Sequence, residues 1–219
     1  MGLLVMPVRK IPKSFRTVTG IIASAKALGE PRFESTLERD LLTLLDFDSN
    51  VLSFEVQPLV IPWKDPTGKG HTYTPDIHVI YIDKYNVIYE VKYRSELLEE
   101  WAALKPKFKG AIHFCRKRGW RYKIMTEVEI RTPYLENAKF LNPFLKQLSP
   151  GDEDVQTVTN HMEKLGKTTP SDLLTTISSD QWEQARLMPA LWILVAKGKI
   201  GANLRSKLTM SSPIWSIAS

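Results

Sequence analysis

The sequence predicts an α/β protein with a mixed β-sheet, followed by a small winged-helix domain. An amphipathic helix at Ser35–Asp46 and apolar, β-branched runs at Tyr73–Arg94 that read as a β-hairpin predict the first part. Three short helices and a terminal β-ribbon beyond residue 150 predict the second. The chain has 219 residues, 43% hydrophobic and 25% charged, which is ordinary for a globular protein with a proper core. It has no apolar run near the ~18 residues a membrane span needs. Met1–Met6 is too short for the apolar region of a signal peptide. The single cysteine, Cys115, excludes internal disulfides and a cysteine-rich zinc site and fits a reducing cytoplasm. His113 and Cys115, two apart, read as packing residues on a helix.

Net charge is +6. From Gly151 to Ser219 seven basic residues balance seven acidic ones, so the whole excess precedes residue 150. A basic field there suggests a polyanion partner. Residues 1–32 carry Arg9, Lys10, Lys13, Arg16, Lys26 and Arg32 against Glu30 alone, a basic arm suited to lie along phosphate or to stay solvated.

In Ser35–Asp46, Leu37, Leu41, Leu44 and Leu45 recur at helical spacing, and Ser35 with Glu38 forms a capping box. Glu38 thus has a structural job, or faces the hairpin as a carboxylate; Glu34, one turn earlier, is the fallback. Val51–Pro58 and Leu59–Trp63 read as strands, with Glu55 and Gln57 on one face, and Lys64–His71 reads as a loop in which Lys69 could meet phosphate.

In the hairpin Asp76 starts the first strand, and Glu90 and Lys92 alternate with Tyr89, Val91 and Tyr93 on the second. Pro75 marks an edge or a bulge. Pairing that sets Asp76 against Lys92 and His78 against Glu90 gathers these groups on one face. It needs an odd-numbered turn, with Asn86 able to take a left-handed position. An acid followed on the next strand by acid-x-lysine suits metal-dependent phosphodiester cleavage: carboxylates hold a hard divalent cation and lysine serves the attacking water. The same spacing also fits a solvated strand face.

Ser95 can cap the next helix, whose first turns carry Glu96, Glu99 and Glu100. Pro106 breaks or restarts it, and Arg94, Lys107 and Lys109 are candidate DNA-backbone contacts. Trp120–Glu127 reads as a strand. Leu148–Asp154, with proline, glycine and an acidic run, divides a nuclease-like part, 1–148, from a second part, 149–219. There Val155–Leu165, Thr169–Ile177 and Asp180–Lys197 read as helices, with Pro189 kinking the third. That third helix is apolar where a base reader needs Arg, Lys, Asn or Gln, so the domain reads as a protein-docking module.

Phe33-Glu34-Ser35-Thr36-Leu37-Glu38-Arg39-Asp40, Ser53-Phe54-Glu55-Val56-Gln57-Pro58, Tyr73-Thr74-Pro75-Asp76 and Glu90-Val91-Lys92 together resemble the TnsA family, endonucleases of heteromeric transposases. The resemblance implies a restriction-endonuclease-like core and cleavage of double-stranded DNA at the 5′ ends of a mobile element. It implies Mg²⁺, two ions with Mn²⁺ as substitute, held by Glu38, Asp76, Glu90 and the Val91 carbonyl, with Lys92 nearest the attacking water. Gln57 follows as a contact to DNA or to the metal ligands. The implied partners are a TnsB-type transposase subunit and a TnsC-type ATPase bound through the C-terminal domain, in the bacterial cytoplasm. A stand-alone restriction or repair nuclease and a non-catalytic DNA-binding adaptor are the alternatives.

Overall fold

The computed structural model describes residues 18–146 and 152–217. Arg9, Lys10, Lys13, Arg16 and part of the expected boundary at 148/149 lie outside the described residues.

Strands β1 (Gly20–Ile21) and β2 (Arg32–Phe33) pair ahead of helix α1 (Thr36–Phe47). Ser35 caps α1 through its hydroxyl, as its sequence predicts. Strands β3 (Val51–Val56), β4 (Ile61–Lys64), β5 (Gly70–Tyr73), β6 (Ile77–Tyr81) and β7 (Asn86–Val91) follow, then helix α2 (Arg94–Arg116) and strand β8 (Arg121–Met125). The sheet runs β3-β6-β7-β8, antiparallel except for the parallel pair β7–β8, which α2 connects. A mixed sheet with helices on both faces fits an α/β nuclease core.

Five local expectations need correction. Pro75 does not bend one long strand; Thr74–Asp76 separates β5, which pairs with β4, from β6 in the main sheet. The expected loop at 64–71 is accordingly narrower, its ends taken up by β4 and β5. Pro106 does not break α2, and Ser95 is not its cap, because the helix runs unbroken from Arg94 with Tyr93 in the capping position. His113 is exposed rather than packed. Cys115 is buried, and burial pushes its thiol up to about 11, so it stays protonated near neutrality.

The hairpin β6–β7 keeps the expected parity but not the expected register. Ile77 opposes Tyr89 and His78 opposes Ile88. Tyr81 and Tyr85 close a loop of odd length, and Lys84, not Asn86, takes the left-handed conformation, at φ 63°. One sheet face packs on α1 through Leu37, Leu41, Leu42 and Leu45 against Phe54, Ile77, Val79 and Tyr89. On the other, α2 and the β4–β5 ribbon meet around Ile61, Tyr73 and Ala111.

Helices α3 (Glu127–Ile130) and α4 (Pro133–Lys146), which the sequence pattern leaves unassigned, lead out of the sheet. Next come α5 (Asp152–Leu165), strand β9 (Lys167–Thr168), α6 (Pro170–Ile177), α7 (Gln181–Ala196) and strands β10 (Ile200–Ala202) and β11 (Ile214–Ser216). The strands form an antiparallel sheet in the order β10-β11-β9. Helix α7 runs through Pro189 and buries Leu187, Ala190, Leu191, Trp192, Leu194 and Val195 in a second core, to which α4 adds Ala138 and Leu141 and α1 adds Phe47.

Asp46 ties α1 to α4. It accepts from Ser24 Oγ at 2.6 Å and Asn142 Nδ2 at 2.8 Å, and pairs with Lys146 at 2.8 Å. Burial pushes its carboxyl up, but these three partners outweigh burial and hold it below the ordinary value of 3.8. A depressed folded-state value means stability that is present above the unfolded pKa and lost as pH falls through the folded one. Asp46→Asn is therefore expected to cost about 2 kcal/mol at pH 7, with the gap to the parent closing in acid. Urea melts at pH 7 and below pH 4 check this; a gap constant with pH would refute the ionic contribution.

Candidate active site

The site lies at the end of the sheet where β6 begins and β7 ends. Continuing the register one step past Ile77–Tyr89 sets Asp76 against Glu90, not Lys92, and His78 away from Glu90. Asp76 Oδ2 accepts from the Val91 N–H at 2.6 Å, and the Asp76 carbonyl accepts from the Gln57 N–H at 2.8 Å, so the aspartate is clamped between β3 and β7. Burial raises its pKa well above the ordinary value, and the charges of Glu90 and then Glu38 add to this, against the Val91 N–H and Lys92.

Glu90 is 2% exposed. Its Oε2 accepts from Tyr73 Oη at 2.5 Å and its Oε1 from Lys107 Nζ at 2.9 Å. Tyr122 Oη lies 3.1 Å from Tyr73 Oη, and the Lys107 ammonium sits 4.4 Å above the Tyr73 ring. Burial, then the charge of Glu90, pushes both tyrosine hydroxyls far up, so they remain neutral donors. Lys107 is thus not an outward-facing cation like the exposed Lys109; the helical turn that buries Phe108 brings its ammonium to the sheet.

Glu38 keeps its capping job. Its Oε1 accepts from Ser35 Oγ at 2.9 Å and its Oε2 from the Glu34 N–H at 2.8 Å. Burial raises its pKa against those two donors, Glu34's charge raises it further, and Lys92 lowers it. Glu34 in turn accepts from Gln57 Nε2 at 3.1 Å, and Gln57 sits at φ 49°, a left-handed conformation uncommon outside glycine. Burial lowers the Lys92 pKa, but Asp76, Glu90, Glu96 and Glu38 outweigh it and leave the ammonium above its ordinary value.

The structure therefore brings Glu38, Asp76, Glu90 and Lys92 into one electrostatic unit, with Gln57 and Glu34 beside Glu38. Each carboxylate is turned to its own internal donors. Among the described residues no group of three His, Cys, Asp or Glu side chains converges on a common point where one ion could sit. The donor chemistry nonetheless fits a hard divalent cation: oxygen ligands only, buried or half-buried, mutually repelling, and without thiolate or imidazole. Lys69 is exposed at the tip of the β4–β5 ribbon and Arg94 is exposed at the start of α2, its N–H donating to Glu127.

Tyr73, Tyr122 and the inward role of Lys107 are not visible in the sequence pattern. Tyr73 is the nearest to legible, since it opens the stretch that carries Asp76. Tyr122 lies on β8, and nothing in its local pattern marks it as a neighbour of Glu90.

Residues 48–127 match a family model described as TnsA-like endonuclease N terminal, and residues 129–204 match one described as TnsA endonuclease C terminal. No curated protein is matched by the chain.

Proposed function

The chain belongs to the TnsA endonuclease family, and from that premise we propose that it is a Mg²⁺-dependent nuclease cutting double-stranded DNA at the 5′ ends of a transposon. The observation that carries this reading is the register that sets Asp76 opposite Glu90 at one sheet end, with Asp76 Oδ2 held by the Val91 N–H at 2.6 Å and the charges of Glu38 and Lys92 within reach. Asp76, Glu90, Glu38 and the Val91 carbonyl would hold the ion. When bound, it would supply charge to the scissile phosphate and lower the pKa of a water molecule.

The protein's own groups do the rest. Lys92, kept protonated by the acids around it, is suited to stabilise negative charge on phosphate oxygen rather than to take a proton from water. Tyr73 and Lys107 hold Glu90 in one orientation, and the Val91 N–H holds Asp76. Gln57, through Glu34, steadies the turn that carries Glu38.

In the second part, the order helix, strand, helix, helix, strand, strand with a three-stranded sheet supports a winged helix. The burial of α7 supports a docking role, with a TnsC-type ATPase as partner and a TnsB-type subunit making the other cuts. Two separate apolar cores support two units, but α4 adds Leu135 to the first and Ala138 and Leu141 to the second, so the cores do not set the division at 148/149. No helix among the described residues is long and apolar enough to cross a membrane, which agrees with a bacterial cytoplasmic site of action.

The test is cleavage of a transposon-end duplex with the partner transposase present, with Mg²⁺, with Mn²⁺ and with chelator. Metal-dependent 5′ cutting that vanishes in Lys92→Ala is expected. Cutting without the partner would favour a stand-alone nuclease, and cutting in chelator would end the metal proposal. Glu38→Ala should cost activity and up to about 2 kcal/mol of capping. Glu38→Gln leaves a side-chain carbonyl to accept at the cap but removes the charge; cleavage at parental rates in that variant would remove Glu38 from the ligand set.

A further inference from the structure

A second charged feature lies beside this site. A cleft of ≈ 750 Å³ opens between the first turn of α1, the turn joining α3 to α4, and the loop that carries Lys207. Buried Asp40 anchors it. Its carboxylate meets Arg131 Nε at 3.0 Å, Lys139 Nζ at 3.2 Å and Arg39 Nη2 at 3.3 Å. Burial pushes Asp40 up, but these cations outweigh it and keep the carboxyl ionised. With Lys207, four cations line the cleft against two acids, Asp40 and Glu136, an excess of two positive charges.

Arg131 is held by side-chain hydrogen bonds, and Lys207 is anchored through its backbone. Arg131 Nη2 also donates to Thr36 Oγ1 at 2.9 Å and Tyr93 Oη at 3.3 Å, while its Nη1 makes no hydrogen bond among the described residues. Lys207 is positioned through its neighbours. Buried Asn137 donates from Nδ2 to the carbonyls of Leu204 and Ser206, each at 2.8 Å, and accepts from the Leu208 N–H at 3.0 Å. One amide from α4 thus fixes the backbone on both sides of Lys207, while its ammonium makes no hydrogen bond or ion pair among the described residues. A guanidinium and an ammonium with free donors, in a cleft lined by cations and the hydroxyls of Thr36 and Thr132, are suited to an anion with several acceptor oxygens.

Its position identifies which anion. Thr36 is two residues from Glu38, and Tyr93 follows Lys92, so Arg131 bridges the two segments that deliver those residues. A duplex lying on the sheet end would bring its backbone past this cleft. We propose that the cleft seats a backbone phosphate of the DNA, gripped by Arg39, Arg131, Lys139 and Lys207. The inference rests on the nuclease reading only in that both place DNA at the same end of the sheet. A phosphate grip of this kind positions a duplex without reading its sequence.

The test is the salt dependence of binding of a labelled duplex to the full chain, for the parent, Lys207→Gln, Arg39→Gln and the double variant. Each single change is expected to lower the slope of log affinity against log salt by about 0.9 for each phosphate that is no longer neutralised. The reduction should be the same for transposon-end and unrelated duplexes, with the melting temperature of Lys207→Gln unchanged. Should Arg39→Gln melt early, Lys207→Gln still decides. Parental slopes in both variants would overturn the proposal, as would a parent that binds no duplex. Weaker affinity only for the partner transposase, with DNA slopes intact, would assign the cleft to an acidic protein surface and likewise overturn it. The two readings fail separately: reduced slopes with no metal-dependent cutting would sink the nuclease and leave the phosphate seat standing.

Discussion

Asp76→Asn is expected to melt higher than the parent while cutting no DNA. The carboxylate is half-buried beside Glu90 and within range of Glu38, and desolvation with those two charges puts its pKa well above the ordinary value. A raised folded-state value for an acid means that the ionised form destabilises the fold. The penalty is absent below the unfolded pKa and grows as pH rises toward the folded one. An amide keeps an acceptor for the Val91 N–H and removes the charge. A gain of about 1 kcal/mol, roughly 2–4 °C for a chain of this size, is expected at neutral pH. Cleavage should fall by at least about 10²-fold, the upper range for disturbing even a group that only supports a metal ligand. Thermal melts at neutral pH, paired with the cleavage assay, check both halves. A variant that melts lower and still cuts would show that Asp76 serves the fold, not the chemistry.

Lys107→Met carries the opposite signature. It leaves Glu90, 2% exposed, with Tyr73 as its remaining side-chain partner. Removing one member of a buried ion pair typically costs about 3–5 kcal/mol, because the other charge stays buried without compensation. A fall in melting temperature of roughly 10 °C is expected. Adding Glu90→Gln should recover much of that deficit, since the amide still accepts from Tyr73 and carries no charge. The cycle of both single variants and the double measures the coupling directly. Additive effects would mean that Lys107 stabilises the protein through its packing on Tyr73 and Phe108 rather than through Glu90. The double variant should also be inactive, which separates restored stability from restored function.

Both predictions turn on side chains of which the sequence shows only part. The amphipathic spacing of Leu37, Leu41 and Leu45 determines α1 and its buried face, and Ser35 with Glu38 determines where it starts. The alternation along Asn86–Val91 determines that Glu90 shares a face with Lys92, because side chains on a strand repeat every two residues. The same alternation leaves the register undetermined in steps of two. A slip of two residues returns every side chain to its own face. The loop closed by Tyr81 and Tyr85, with Lys84 left-handed, settled that ambiguity in favour of Asp76 opposite Glu90.

Other features belong to the tertiary structure alone. Lys107 looks like any surface lysine on a basic helix, and what turns it inward is the crossover of α2 onto the sheet, with Phe108 buried beside it. Pro106 sits within a helix that its packing carries across the expected break. Arg131 meets Asp40 across 91 residues of chain and Asn137 meets the Lys207 loop across about 70. Local periodicity reports which face of an element is buried. Only the packing of one element on another decides which charge each buried carboxylate will meet.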